Sequence, residues 1–224
     1  MEARGMADID IDKMLEKHEK KEKDAKAKKR IYTAVIAGGS AAAAALIAII
    51  IILLLKGETA SAYFPLDPGK KLVYNIKGKN PQEWQIQGKT ENVYGYECSV
   101  MDKMDKGTYL TVREYYAEDE KKGIAKLAYS ENGGPLVKDV FVIMPYTVKT
   151  GMSFRAAMYM GEVVTGEIVS KEKMSTPAGE LETYKVTYKS PHMDRAVWYA
   201  KGVGIVKMTD NLTAEETGLI SAGE

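Results

Sequence analysis

The stretch Thr183–Lys189, which reads TYKVTYK, decides the fold of the larger part of this chain. Its bulky residues Tyr184, Val186 and Tyr188 alternate with polar residues in a two-residue period. Successive side chains of a β-strand point to opposite faces, so this period predicts a strand with one face in a core and the other in water. The same alternation recurs in residues 71–77, and it predicts a β-sheet built on this pattern.

Turn residues separate the alternating runs. Glycine and asparagine stand between them, and Thr176–Gly179 has proline and glycine where a type I turn places them. The spacing predicts about nine to eleven strands, with one short helical turn within Ala214–Ile220. A single antiparallel sheet of that size curls to hide its apolar face, so the predicted fold class is all-β antiparallel, a curved sheet, half-barrel or barrel, with an N-terminal transmembrane α-helix. Strands are predicted at 71–77, 83–88, 92–101, 108–117, 123–130, 138–143, 152–159, 162–172, 181–189, 195–200 and 203–208.

Residues 31–55 contain no charged side chain and predict the transmembrane helix. A helix of this length reaches about 37 Å at about 1.5 Å per residue, against a hydrocarbon core of about 30 Å. Lys26, Lys28, Lys29 and Arg30 directly precede it, and basic residues stay on the cytoplasmic side. The sequence thus predicts a cytoplasmic N-terminus and an extracytoplasmic, periplasmic domain on the inner membrane.

The charge distribution and the predicted span divide the chain into four segments. Residues 1–30 form a charged cytoplasmic tail with ten basic and eight acidic residues. Residues 31–55 form the span, 56–62 a linker and 63–224 the exported β domain. The whole chain carries a net charge of only +1. This near balance gives no attraction to nucleic acid, which is excluded as a partner.

Two alternatives concern the span. Ala60-Ser61-Ala62 fits a signal-peptidase pattern, so cleavage after Ala62 competes with a permanent anchor, although the apolar run is longer than a signal peptide needs. Small residues spaced four apart let two helices approach closely, so the span is a candidate helix–helix interface of a homo-oligomer. The competing interpretation is a monomeric span in which alanine is merely tolerated. The candidate packing residues are Ala34, Ala37, Gly38, Ala41 and Ala45.

Three motifs stand out in the β domain: a YFPL…G opening, a PAG…Y.V hairpin and the closing segment Trp198–Lys207, WYAKGVGIVK. With them the domain resembles a family of uncharacterised bacterial exported and lipoprotein-type domains. The resemblance implies a curved antiparallel sheet and export but no activity, and this chain has the predicted span where family members carry a lipidated cysteine. The motif residues are Tyr63, Phe64, Pro65, Gly69, Pro177, Gly179, Trp198, Tyr199, Gly202 and Gly204.

Residues suited to catalysis or metal binding are scarce in the β domain. Its only histidine is His192, in a predicted loop with Ser190 and Asp194, and its only cysteine is Cys98, in a predicted strand. Ser190, His192 and Asp194 are the residue types of a nucleophilic triad, but their segment is predicted as a polar hairpin loop. A zinc site needs three or four ligands, for which the supply of cysteine and histidine is too small. The sequence therefore predicts no enzyme, cofactor or metal site. The Gly202/Gly204 pair predicts a bulge or tight reversal instead of a phosphate loop.

The sequence leaves two functions open. The first is a structural or protein-interaction module of the cell envelope, with the lipid bilayer and other envelope proteins as partners. The alternative is a carrier or sensor whose curved sheet binds a lipid or another apolar ligand. Six methionines could line such a cavity or simply fill a core. They are Met101, Met104, Met144, Met152, Met158 and Met160.

Overall fold

The computed structural model describes residues 58–223. The predicted tail, the span and its packing residues lie outside this range. Within it, no helix has the length and apolar character needed to cross a bilayer.

Residues 58–223 form one long antiparallel meander of β-strands and a single short helix. The helix α1 covers Ala60–Tyr63. The strands are β1 Glu58–Thr59, β2 Lys71–Ile76, β3 Gln82–Val93, β4 Tyr96–Asp105, β5 Thr111–Asp119, β6 Gly123–Glu131, β7 Val137–Met144, β8 Thr147–Val148, β9 Ser153–Tyr159, β10 Glu162–Thr176, β11 Gly179–Ser190, β12 Met193–Ala200, β13 Gly204–Asp210 and β14 Glu215–Gly223.

Twelve strands make one sheet in the order β7-β6-β5-β4-β3-β2-β14-β13-β12-β11-β10-β9. The sheet curls until its two edge strands, β7 and β9, come close to each other without pairing. The predicted antiparallel barrel-like sheet is therefore confirmed, and it is nearly closed. It has more strands than the nine to eleven that the turn spacing predicted.

The predicted helical turn at Ala214–Ile220 is wrong. Residues Glu215–Gly223 form strand β14, which pairs with β13 on one side and with β2 on the other. Alanine and glutamate favour helices in isolation, but Thr217 and Leu219 both point into the core side of the sheet and are buried. This tertiary burial outweighs the local preference, and β14 joins the first and last parts of the meander.

The chain closes one end of the barrel before it enters the sheet. Strand β1 pairs with β8, and α1 follows directly, with the amide of Ala60 donating to the carbonyl of Tyr146 at 3.0 Å. Residues 58–62, predicted as linker, therefore form structured parts of the domain. Ala60 and Tyr63 are fully buried in the main core.

Two turns form as the sequence predicted. Pro177 and Ala178 occupy the turn between β10 and β11, where the Thr176 hydroxyl donates to the Gly179 carbonyl at 2.9 Å. Gly202 and Gly204 have φ of +70° and +103° and reverse the chain between β12 and β13. Their positive φ angles explain the choice of glycine, because L side chains rarely adopt them.

A third glycine allows a close approach between strands. Gly123, with φ +94°, begins β6, and a Cβ added there would lie 2.1 Å from the Met144 carbonyl oxygen.

Gly179 has a comparable φ of +108° but nothing within 4 Å of its added Cβ. We expect Gly179→Ala to cost about 1–2 kcal/mol through its backbone conformation. Gly123→Ala should cost at least about 2 kcal/mol more, because backbone atoms must shift. Equal midpoints for the two variants in chemical unfolding followed by circular dichroism would contradict this account of Gly123.

Candidate functional site

The interior of the barrel contains a cavity of about 580 Å³. Because the strands alternate in direction, the hairpins that follow β2, β4, β6, β9, β11 and β13 all lie at one end of the barrel. The cavity walls extend to these hairpins through Lys79, Thr108 and Leu110. We call this end the mouth and the end that holds α1 the closed end. The volume lies within the range of small-molecule sites, about 300–1,000 Å³.

Phe64 forms the floor of the cavity. Its ring packs on Tyr116 and Tyr199, with centroid distances of 5.1 and 6.2 Å. Just before it, Tyr63 packs edge-on against Tyr184 at 4.9 Å. These aromatic contacts join α1 to strands on opposite sides of the barrel, so the segment acts as a plug.

Motif residues from the two ends of the domain meet in the structure. The amide of Gly202 donates to the carbonyl of Ala62 at 2.7 Å, and Pro65 lies beside Gly204. Opening and closing motifs therefore meet at the closed end, where they hold the plug. Gly69 lies close by in sequence, with φ +84°, and its amide donates to the Ile86 carbonyl at 2.9 Å.

Aromatic side chains form much of the cavity wall. Trp84 packs on Tyr74 with centroids 4.2 Å apart. On the opposite part of the sheet, the hydroxyls of Tyr188 and Tyr199 lie 2.9 Å apart, and Tyr188 also donates to the carbonyl of Ile143. Burial raises the pKa of both tyrosines, so they remain neutral phenols at physiological pH. Both hydroxyls are therefore already hydrogen-bonded, and the rings give this part of the wall its apolar surface.

The second tryptophan occupies a different place. Trp198 does not line the cavity; its ring lies between the ammonium groups of Lys185 and Lys207, at 5.0 and 5.7 Å from the centroid. Its strand neighbours Val197 and Tyr199 do line the cavity. Trp198 is therefore on the outer face of the sheet, and the two tryptophans of the chain report on opposite faces.

A buried ion network crosses the cavity wall formed by β4, β5, β6 and β7. The Glu114 carboxylate lies 2.6 Å from Lys103 and 3.7 Å from Lys126. Lys126 also pairs with Asp139 at 2.6 Å, and Tyr116 donates a hydrogen bond to Glu114. Lys103 in addition lies 3.8 Å from the centroid of the Trp84 ring. Each charge of the network is therefore compensated by an opposite charge.

Burial and charge act against each other on the pKa of these groups. Burial alone would raise the pKa of the Glu114 carboxyl, but the two lysines and the bonds from Lys103 and Tyr116 outweigh it and hold the pKa below its usual range. Burial lowers the pKa of Lys103, and Glu114 offsets part of that shift. Glu114 and Lys103 are therefore held in their charged forms by their partners of opposite charge.

A second polar wall lies across the cavity, on β12 to β14. Arg195 pairs with Asp210 at 3.2 Å through one terminal nitrogen. Its Nε atom is inaccessible to solvent and has no hydrogen-bond partner among residues 58–223. The Oγ1 atom of Thr217, a residue only 1% exposed, is likewise without a partner in that range. Both residues line the cavity.

The other sequence candidates lie elsewhere. Of the six methionines only Met158 lines the cavity, joined by Met193 and Met208. Met101 and Met144 are buried in the core, which agrees with the interpretation that methionines fill a core. Met160 is exposed. His192 is exposed in the β11–β12 turn, where its amide donates to Ser190 Oγ at 3.2 Å.

Cys98 lies on β4 and is fully buried, and burial raises the pKa of its thiol. Among residues 58–223, no group of three or more His, Cys, Asp or Glu side chains is placed to hold a metal ion. The absence of an enzymatic or metal-dependent activity stays a prediction.

The charged residues of the cavity were not predicted from the sequence. The signal was present in Thr111–Asp119, because alternation places Glu114 on the same face as Val112 and Tyr116. A charged residue on the apolar face of a strand indicates either an edge or a buried polar site. Lys103 shares a face with Met101 in the same way.

Comparison with known proteins gives two similar solved structures. No family model matches the chain, and no curated protein matches it. One similar structure is a Bacteroides fragilis protein described as exported and as having a YmcC-like fold, 15% identical, with a TM-score of 0.42, over 72% of this chain and 99% of that one. The other is described as a lipoprotein from Parabacteroides distasonis, 15% identical, with a TM-score of 0.38, over 72% of this chain and 98% of that one.

Proposed function

We propose that the β domain is a binding module that takes up an amphipathic ligand with an acyl chain in its barrel. The observation that carries this proposal is the cavity of about 580 Å³, which runs from Phe64 to the mouth. Its aromatic and aliphatic walls suit a hydrocarbon chain. Its polar walls suit a head group. No covalent step is part of the proposal, which is that of a carrier or sensor and not of an enzyme.

The proposed setting is the cell envelope. The uncharged run at residues 31–55 and the basic residues before it support a single-pass inner-membrane anchor with the β domain on the extracytoplasmic side. Proteolysis of intact spheroplasts tests this orientation. The β domain should be digested, whereas a protected β domain would mean that the orientation is reversed.

Ligand uptake is tested by native mass spectrometry of the chain purified from its own membranes. We expect a bound lipid-sized mass in the wild-type protein and a reduced occupancy in Ala157→Trp, because Ala157 lines the cavity and the indole would take up part of the space that the ligand needs. The matched control is Ala178→Trp, in the exposed β10–β11 turn. It should keep the ligand. Equal occupancy in both variants would contradict binding inside the barrel.

A protein-interaction role is a second candidate. Large apolar side chains are exposed at the mouth hairpins, including Tyr109, Leu110, Met160 and Leu212. Exposed apolar groups of this kind favour a partner surface. Crosslinking in native membranes from a photoreactive residue at position 109 should then capture an envelope protein, whereas the same residue at position 178 should not. Labelling of lipid alone would count against a protein partner there.

A further inference from the structure

Exposed apolar side chains are concentrated on the hairpin loops of the mouth. Five large ones lie in these loops, and we call them the rim residues: Tyr109, Leu110, Leu136, Met160 and Leu212. The four hairpin turns at the closed end contain a single exposed residue of this kind, Tyr94. Exposed apolar groups that gather on one surface indicate an interaction site, so the mouth has the character of an interface.

The rim residues surround the opening of the cavity. They belong to four of the six mouth hairpins, those that join β4 to β5, β6 to β7, β9 to β10 and β13 to β14. These hairpins are spread from one edge of the sheet to the other, and neighbouring mouth hairpins are two strand spacings apart, about 10 Å. A protein interface usually has its apolar residues in the centre and polar residues at its rim. The mouth has the reverse arrangement, which fits a broad apolar layer that receives all four hairpins at once.

Charged side chains of both signs stand at the mouth beside the rim residues. The mouth loops contain no acidic residue, and their charged residues are Lys77, Lys79 and Lys106. The carboxylates next to these loops stand at the strand ends, at Asp105, Glu131, Glu162, Asp210 and Glu215. Lys79 pairs with Glu215, and Lys106 pairs with Glu83.

This distribution of charge selects one kind of lipid surface. A surface with an excess of lysine would select anionic lipids, but the mouth has no such excess. Zwitterionic head groups carry both signs, as the mouth does, and they cover an apolar layer of the kind that the rim residues need. The charges of the mouth therefore complement a zwitterionic bilayer, and apolar contact supplies the attraction.

The apolar surface of the mouth continues into the cavity. Leu110, Met158 and Tyr159 are exposed at the mouth and also line the cavity wall. An acyl chain can follow these side chains from a bilayer into the barrel without crossing water. This continuity favours a bilayer as the occupant of the mouth, because a bilayer is also a source of acyl chains.

We infer that the mouth docks onto the surface of a zwitterionic lipid bilayer and inserts its rim residues below the head groups. The inference goes beyond the proposed function, because docking needs no ligand in the cavity. Burial of one leucine or methionine side chain corresponds to at least about a tenfold change in the docking equilibrium.

The test places a fluorescent reporter on one rim residue of the full-length chain. The environment-sensitive dye nitrobenzoxadiazole is attached at Leu212→Cys, and the native Cys98 stays unlabelled because it is fully buried. The chain is held in phosphatidylcholine nanodiscs, and doxyl-labelled lipid, a quencher, is placed either in the nanodisc or in added phosphatidylcholine vesicles. We expect a blue shift and doxyl quenching in one of these two arms. Partial replacement of phosphatidylcholine by phosphatidylglycerol should not strengthen the quenching.

Two variants that carry the same reporter assign docking to the rim. Met160→Asp adds a carboxylate at a rim residue, and Tyr94→Asp is the matched control in the β3–β4 turn. Met160 and Tyr94 have φ of +52° and +53°, and each precedes a glycine, so aspartate suits both backbones equally. Met160→Asp should lower the ratio of docked to undocked chain at least about tenfold. Tyr94→Asp should dock as the parent chain does.

Three results would overturn the inference. The first is quenching by aqueous iodide with no doxyl quenching in either arm. The second is equal doxyl quenching in the Met160→Asp and Tyr94→Asp variants. The third is a blue shift that grows with protein concentration without doxyl quenching, which would assign the mouth to a second copy of the chain.

Docking and ligand binding fail independently of each other. A docked mouth in a chain that carries no lipid-sized mass would overturn the proposed function and leave this inference intact. A bound lipid-sized mass in a chain whose reporter stays in water would do the opposite.

Discussion

Replacing Glu114 by glutamine is expected to lower the free energy of unfolding by about 3–5 kcal/mol, the usual cost of removing one partner from a buried ion pair. Glu114 is 8% exposed and is the shared partner of Lys103 and Lys126. Lys126 keeps Asp139 in the variant, but Lys103 loses its only carboxylate within 4 Å among the described residues. Chemical unfolding followed by circular dichroism measures the loss.

The matched control is a similar pair on the surface. Lys173 and Glu180 lie 3.5 Å apart with side chains 72% and 65% exposed. Glu180→Gln should cost less than about 1 kcal/mol, since exposed pairs contribute little. The double variant Lys103→Met/Glu114→Gln should recover part of the loss, because it removes the uncompensated ammonium. A loss for Glu114→Gln as small as that for Glu180→Gln would show that the network does not stabilise the barrel.

The network also predicts a pH dependence. The folded state depresses the pKa of Glu114 below its ordinary value of 4.5. Its stabilising contribution is therefore fully present above about pH 4.5 and is lost as the pH falls through the lower folded-state value. The difference in unfolding free energy between wild type and Glu114→Gln should shrink in acid. A difference that stays constant from pH 6 to pH 3 would contradict this assignment.

Replacing Phe64 by alanine should have an effect of similar size, about 3–5 kcal/mol for a buried phenylalanine. Phe64 is 4% exposed, forms the cavity floor and contacts Tyr116 and Tyr199. The control is Tyr109→Ala, because Tyr109 is 73% exposed and its removal should change stability by less than about 0.5 kcal/mol.

The Phe64 variant has a second readout. If the ring is the floor of a ligand site, Phe64→Ala should lengthen the cavity and shift the ligand preference toward longer acyl chains. An unchanged preference in a folded variant would mean that ligands do not reach the closed end. A stability change no larger than that of Tyr109→Ala would contradict the role of Phe64 in the plug.

The strands of the main sheet could be predicted from sequence because most of them alternate one buried with one exposed face. Thr183–Lys189 lies inside β11, and its alternate residues Tyr184, Val186 and Tyr188 are buried as predicted. Strand β14 could not be predicted, since its glutamates favour helix and its burial depends on β2, which is far away in sequence. The local sequence pattern does not show that β14 pairs with a strand so far away in sequence.

The cavity was predicted only as an alternative, and its polar walls were not predicted. Alternation shows that Glu114 faces the same way as Tyr116, but not that Lys103 and Lys126 reach it from two neighbouring strands. Those contacts depend on strand register and on the curvature of the sheet. The tight turn at Gly202 and Gly204 was predictable because a positive φ angle has a residue preference.

The central claim, that a ligand chain lies inside the barrel, is tested most directly by fluorescence quenching with bromine-labelled monopalmitoylglycerol. Bromine on an acyl chain quenches tryptophan only at short range, and the chain has two tryptophans, Trp84 on the cavity wall and Trp198 on the outer face. In Trp198→Phe, where only Trp84 remains, saturable quenching is expected. In Trp84→Phe, quenching should be weak and linear with ligand concentration. Equal quenching of the two variants would contradict the claim, because the ligand would then not discriminate the cavity from the outer surface.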